Sequence, residues 1–214
     1  MNDKMYFAAL DEKIDSLEKL RSKGVKIATG IVGKTLTTDD LFFCASLNRC
    51  LQLIDGVVLM LKERNLTCAG PLLRLQMDNC MRTYAAFIAE DRTKVIECIL
   101  DGTPIKKQRD TAGKPMTDCY LKTAINQYDS VFAQVYNQAS GFVHLSEKAF
   151  YQIVVRVDDK TIDCQVGHDL PETGNGPLLE CADAFCHFVE LHYKMLVAVA
   201  DSKTRLDQER QKKR

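Results

Sequence analysis

Residues 121–144 read LKTAINQYDSVFAQVYNQASGFVH. Within this stretch Leu121, Ile125, Tyr128, Phe132, Val135, Ala139 and Phe142 recur at alternating steps of four and three. That is the spacing of one buried helical stripe. It predicts a single helix over 117–144, capped by Thr117 with Asp118 in its first turn. A polar row, Tyr136, Ser140 and His144, runs beside the stripe at one-turn spacing. Asn137 lies two turns before His144 and faces nearly the same way. A phenol, a hydroxyl and an imidazole held against an apolar face either satisfy buried polar groups or present chemistry.

Upstream, residues 3–23 predict a surface helix with Phe7, Leu10, Ile14, Leu17 and Leu20 on one face and Gly24 ending it. Residues 25–37 then read as a connector. Ala28–Thr35 loosely fits a phosphate-binding loop, but Ala28 replaces the first glycine and the preceding apolar run is short. The next helix starts at Thr37 or Thr38, with Asp39 and Asp40 in a first turn where acids would repel a phosphate.

Residues 39–65 are apolar on more than one side, as in the middle helix of a bundle. Gly56 within them predicts close approach by a neighbour. A break at 65–70 precedes a second core helix with Pro71 in its first turn. Its stripe is Leu73, Met77, Cys80, Tyr84 and Ile88, and Arg74, Asp78 and Arg82 line its edge. This charged row is either a set of partly exposed ion pairs or a cluster that orients Ser140 or His144.

Residues 102–115 form a loop whose Lys106, Lys107 and Arg109 are the best local basic patch and candidate RNA contacts. After 144 the period changes. Residues 151–157 and 161–166 flank Asp158-Asp159-Lys160 and predict a β-hairpin. Two strands alone are marginal in water, so the hairpin must lean on the bundle, pair with something or contribute to a dimer. The last helix starts near Pro177 with Leu178, Cys181, Phe185, Phe188, His192, Met195 and Val199 on one stripe. A charged tail is expected to fray from Lys203 onward.

The chain has 214 residues, a formal net charge of zero and few glycines and prolines. These values point to a mainly α fold, one helical domain with a hairpin before the last long helix. Residues 1–37 form its first helix and connector, 38–204 the bundle with hairpin 151–166, and 205–214 the tail. Zero net charge argues against broad electrostatic capture of nucleic acid, though not against a local patch. Nine cysteines, mostly within apolar helical runs (Cys44, Cys50, Cys80, Cys98, Cys119, Cys181), read as free thiols of a reduced, cytoplasmic protein. A charged, amphipathic start and the lack of a long apolar run predict no leader and no membrane span.

Cys164 with His168, and Cys181, Cys186, His187 and His192, lack the spacing of a metal site, so no metal and no cofactor is expected. His192 lies on the apolar stripe and reads as a core histidine with one hydrogen bond.

An Arg-x-x-x-acid row on an early core helix (Arg74, Asp78) and Tyr-x-x-x-Ser-x-x-x-His on a later one (Tyr136, Ser140, His144) resemble the HEPN superfamily. The likeness is closest to its bacterial abortive-infection members. It implies a bundle of four or more helices, often a homodimer. It also implies RNA as substrate or ligand, a stress, phage-defence or toxin–antitoxin setting, and a cognate antitoxin or defence partner.

In active members a histidine performs acid–base chemistry beside an arginine that stabilises the phosphate. Carried onto this chain, His144 is the acid–base group. Arg74 is the candidate clamp, and Asp78, Tyr136, Asn137 and Ser140 form the supporting polar shell. The family arginine before the histidine is absent, since Asn137, Gln138 and Ala139 hold its positions, and an amide cannot replace a guanidinium there. The other reading is a non-catalytic helical interaction module in which the row is structural.

Overall fold

The computed structural model describes residues 3–144, 146–147, 153–166 and 175–212. The elements, in chain order, are α1 (Asp3–Val32), α2 (Thr38–Lys62), α3 (Leu66–Ile88) and α4 (Arg92–Leu100). A 3-10 turn (Ile105–Lys107), α5 (Asp118–Ile125) and α6 (Phe132–Ser140) follow. The chain then forms β1 (Val154–Val157), β2 (Ile162–Cys164) and α7 (Asn175–Lys212). The expected mainly α bundle with one hairpin before the last long helix is the fold observed.

Four long helices enclose one apolar cluster that extends from Tyr6 to Leu196. α2 runs antiparallel to α1, since Arg21 meets Asp55 and Glu18 meets Lys62. It also runs antiparallel to α3, since Ser46 meets Asn79 and Thr83 while Gly56 lies opposite Leu72. α7 runs in the same sense as α1. Lys13 pairs with Asp183, Tyr193 donates to the Leu20 carbonyl, and the backbone N–H of Lys34 donates to Asp207. α7 is parallel to α3 as well, with Gln76 against Phe188 and Thr83 against His192.

α7 must therefore begin at the end of the bundle opposite to where α3 stops, and the segment between them is the return path. α5 and α6 carry the chain back along α3, from the Arg82–Asp118 contact down to Gly70, where Phe142 packs.

The Thr37 and Thr117 caps are the expected ones, and Asn65 and Asp91 add two more. Thr37 and Asp40 form a reciprocal capping box, Asn65 caps α3, Asp91 caps α4 and Thr117 caps α5. α3 starts at Leu66, so Pro71 sits one turn deeper than expected. In the hairpin Val157 pairs with Ile162 and Val154 with Cys164, with an irregularity between Val154 and Arg156. Arg156 and Asp163 face each other in an ion pair.

Several expectations need correction. α1 does not stop at Gly24 but continues to Val32, so most of the expected connector is helix. Gly24 serves packing instead, because a Cβ there would lie 2.3 Å from the Tyr193 hydroxyl. Tyr6, 1% exposed, replaces Phe7 on the buried face of α1.

The expected helix over 117–144 is two helices separated by a turn at 126–131. Asn126 accepts from the backbone N–H of Ala133 at 2.9 Å and Asp129 pairs with His187 at 2.6 Å, so two short polar side chains fix the turn. Leu121, Ile125, Phe132 and Ala139 are buried as expected, but Tyr128 sits on the turn and is 78% exposed.

Nor does the chain fray at Lys203. α7 continues to Lys212, and the buried Lys203 ammonium donates to Asp40 and to the Thr35 carbonyl. The nine cysteines are unpaired, and Cys119 is exposed rather than packed in a helical core. Contrary to expectation, α2 is long and apolar enough to cross a membrane by length and composition. Here it packs between α1 and α3, with Phe43, Leu47, Cys50, Ile54, Val57 and Leu61 buried.

Candidate functional site

Arg74 projects from α3 toward α6, where its guanidinium lies 3.7 Å from the centroid of the Tyr136 ring. Its Nη2 donates to the Tyr136 hydroxyl and its Nε donates to Ser140 Oγ at 3.4 Å. Ser140 in turn donates to the Tyr136 carbonyl one turn back, at 2.8 Å. Lys122 of α5 donates to Asn137 Oδ1 at 2.9 Å and its ammonium lies 5.4 Å from the Tyr136 ring. Two cations from two helices thus hold one phenol on a third. Burial raises the Tyr136 pKa and the Arg74 charge opposes that rise.

The structure therefore joins Arg74, Tyr136 and Ser140 and sets Asn137 beside them. It separates the other two members of the expected site. Asp78 pairs with Arg82 at 3.3 Å, and Arg82 also meets Asp118 at 2.7 Å, so this end of the charged row fastens α3 to the start of α5. His144 lies beyond the end of α6, in the turn that follows, and is exposed with no hydrogen-bond partner among the described residues. The one-turn spacing that aligned it with Ser140 does not apply there. Exposed in that turn, His144 fills no core position.

Lys106, Lys107 and Arg109 are exposed. Arg109 Nη1 donates to the Gly113 carbonyl at 2.5 Å, within its own loop. Asp110 organises that loop by accepting from Tyr120 and from the backbone N–H groups of Ala112 and Lys114. The Tyr120 hydroxyl first, and these amides after it, hold the Asp110 carboxyl below the usual carboxylate range.

Three polar clusters were not foreseen. Ser46, Asn79, Thr83 and His192 meet in the core of α2, α3 and α7. His192 Nε2 lies 2.8 Å from Ser46 Oγ and 3.1 Å from Thr83 Oγ1, so it has two partners rather than one, while Nδ1 has none. The Nε2–H tautomer leaves a lone pair rather than a proton unsatisfied and allows Ser46 to donate to Asn79 Oδ1. Full burial lowers the His192 pKa to about 3. The signal was present in the sequence: Asn79 and Thr83, one turn apart, interrupt the apolar surroundings of the α3 stripe.

The second cluster is the Lys203–Asp40 ion pair, and the third is Asp129 with His187. Each joins residues far apart in the chain, and no local spacing announces such a pair.

His187 and His192 do project to different sides, one exposed and one buried. Among the described residues no three His, Cys, Asp or Glu side chains converge as metal ligands. His168, half of the weighed Cys164–His168 pair, lies outside the described residues. The Arg74 cluster joins α3 to α6 through two of the five guanidinium N–H groups, one on Tyr136 and one on Ser140. Compared with protein-family models, curated proteins and solved structures, the chain matches none.

Proposed function

We propose that this chain is a non-catalytic helical interaction module in which Arg74, Tyr136 and Ser140 brace α6 against α3. The observation that carries this reading is the engagement of the Arg74 guanidinium by the Tyr136 ring and hydroxyl and by Ser140. The ring and both hydroxyls hold the guanidinium against α6, and the histidine that a phosphate clamp would serve sits in the turn beyond the helix.

The hairpin supports the interaction half of the reading. Val157 and Ile162, paired across the strands, are 66% and 57% exposed, and a two-stranded sheet gains from a covering partner. The partner we favour is a second copy of the chain. Sedimentation of the wild type and of a Val157→Asp/Ile162→Asp variant tests it: a dimer that becomes a monomer supports the reading, and a wild-type monomer removes it.

A second reading, RNA binding or metal-independent RNA cleavage of the HEPN type in a cytoplasmic stress or phage-defence role, has its own support. Lys106 and Lys107 are exposed and His144 is open to solvent. On that reading His144→Ala abolishes cleavage without changing stability.

A further inference from the structure

A cleft of about 530 Å³ opens between the outer faces of α2 and α3, the loop after α4 and the start of α5. Arg49, Asp78, Arg82, Lys106, Thr117 and Asp118 line it. The two carboxylates are both committed to Arg82, through its Nη2. Arg49 and Lys106 have no ion-pair or hydrogen-bond partner among the described residues. The cleft holds three cations, Arg49, Arg82 and Lys106, against the two carboxylates of Asp78 and Asp118, a net charge of +1; Arg49 and Lys106 stand on two different elements, and Asp78 and Asp118 fix the orientation of Arg82, whose Nε and Nη1 stay open. Thr117 and Asp118 at the start of α5 border the same space, and the Asp118 carboxylate in that first turn is held by Arg82.

We propose that this cleft binds a phosphate group, held between Arg49 and Lys106 with Arg82 as a fixed third donor. A tetrahedral phosphate offers oxygens in several directions and can bridge cations from separate elements, whereas a planar carboxylate presents two oxygens on one edge. The cleft is large enough to take a nucleotide as well as a bare phosphate. The site uses neither His144 nor the Arg74 cluster, so it is independent of whether the protein cuts RNA.

The test uses the full chain at low salt with two phosphate sources, AMP followed by calorimetry and a short labelled oligouridylate followed by anisotropy. Arg49→Ala and Lys106→Ala remove the two exposed cations, and Lys19→Ala, an exposed lysine on α1, controls for loss of charge alone. Thermal melts establish that each variant is folded. Each cleft variant should weaken binding roughly tenfold, the value of one charge-assisted contact, and should lower the salt slope for the oligonucleotide by about 0.7.

Binding of both ligands means that monoester and diester are accepted. Binding of AMP alone assigns a free nucleotide, and binding of the oligonucleotide alone assigns a nucleic-acid backbone. The proposal is overturned if neither ligand binds, if either cleft variant leaves binding unchanged, or if Lys19→Ala weakens it equally.

Discussion

The guanidinium of Arg74 rests on the ring of Tyr136, 3.7 Å from its centroid, while also donating to its hydroxyl. The contact links α3 to α6, and Phe132 on the same helix is fully buried below it. Tyr136→Phe keeps the stack and should cost about 1 kcal/mol for the lost hydrogen bond. Arg74→Ala loses both and should cost about 2 kcal/mol. Urea unfolding of the two variants measures this, and equal losses would mean that the ring contact contributes nothing.

Lys203 and Asp40 form a nearly sealed ion pair, with side chains 8% and 7% exposed. Burial alone would raise the Asp40 pKa, but the Lys203 ammonium and the Thr37 hydrogen bonds outweigh it and hold it below the usual value. Lys203→Met strands the carboxylate and should destabilise by about 3 kcal/mol or more. Adding Asp40→Asn should restore much of that loss, because the uncompensated charge is then gone. Denaturant midpoints of the single and double variants test it, and strictly additive losses would count against coupling.

His192 supplies a pH dependence with a definite sign. Its folded pKa, about 3, lies below the ordinary 6.5, so between those values the unfolded chain binds the proton that the native core refuses. Stability should be unaffected by this group above pH 6.5 and should fall on acidification toward pH 3, by at most about 1.4 kcal/mol per pH unit. His192→Gln cannot titrate and can still reach Ser46. Urea midpoints measured across this range should show a flatter profile for the variant, and parallel profiles would refute the assignment.

Gly24 and Gly70 are packing glycines. An added Cβ would lie 2.3 Å from the Tyr193 hydroxyl at Gly24 and 2.3 Å from the Phe142 ring at Gly70. Alanine at a helix interior normally stabilises by up to about 1 kcal/mol. Here Gly24→Ala and Gly70→Ala should instead destabilise by about 1–3 kcal/mol through overpacking. Melting temperatures decide the sign, and a rise in both variants would contradict the close approaches.

The core helices were legible because their apolar residues obey the helical period, and the Thr37 and Thr117 caps because each stands where the period begins; Asn65 caps α3 inside what reads as a break, and Asp91 caps α4 without having been singled out. Arg74 and Ser140 could be paired in advance because each lies on a polar row at the edge of a core face. The break at 126–131 was hidden because the turn preserves the phase of the stripe, so Ile125 and Phe132 stay on one side across it. With the helix broken and ending at Ser140, the spacing to His144 lost its meaning. The Lys203–Asp40 and Asp129–His187 pairs were illegible because they depend on α7 lying beside distant segments, which is set by topology rather than local pattern.

The most direct measurement is the fate of single-stranded RNA incubated in EDTA with purified wild type and with His144→Ala. A structural Arg74–Tyr136–Ser140 brace leads to intact RNA with both proteins, alongside the loss of stability in Arg74→Ala. Wild-type cleavage products that end in a cyclic phosphate and vanish with His144→Ala would contradict it and restore His144 as a catalytic group.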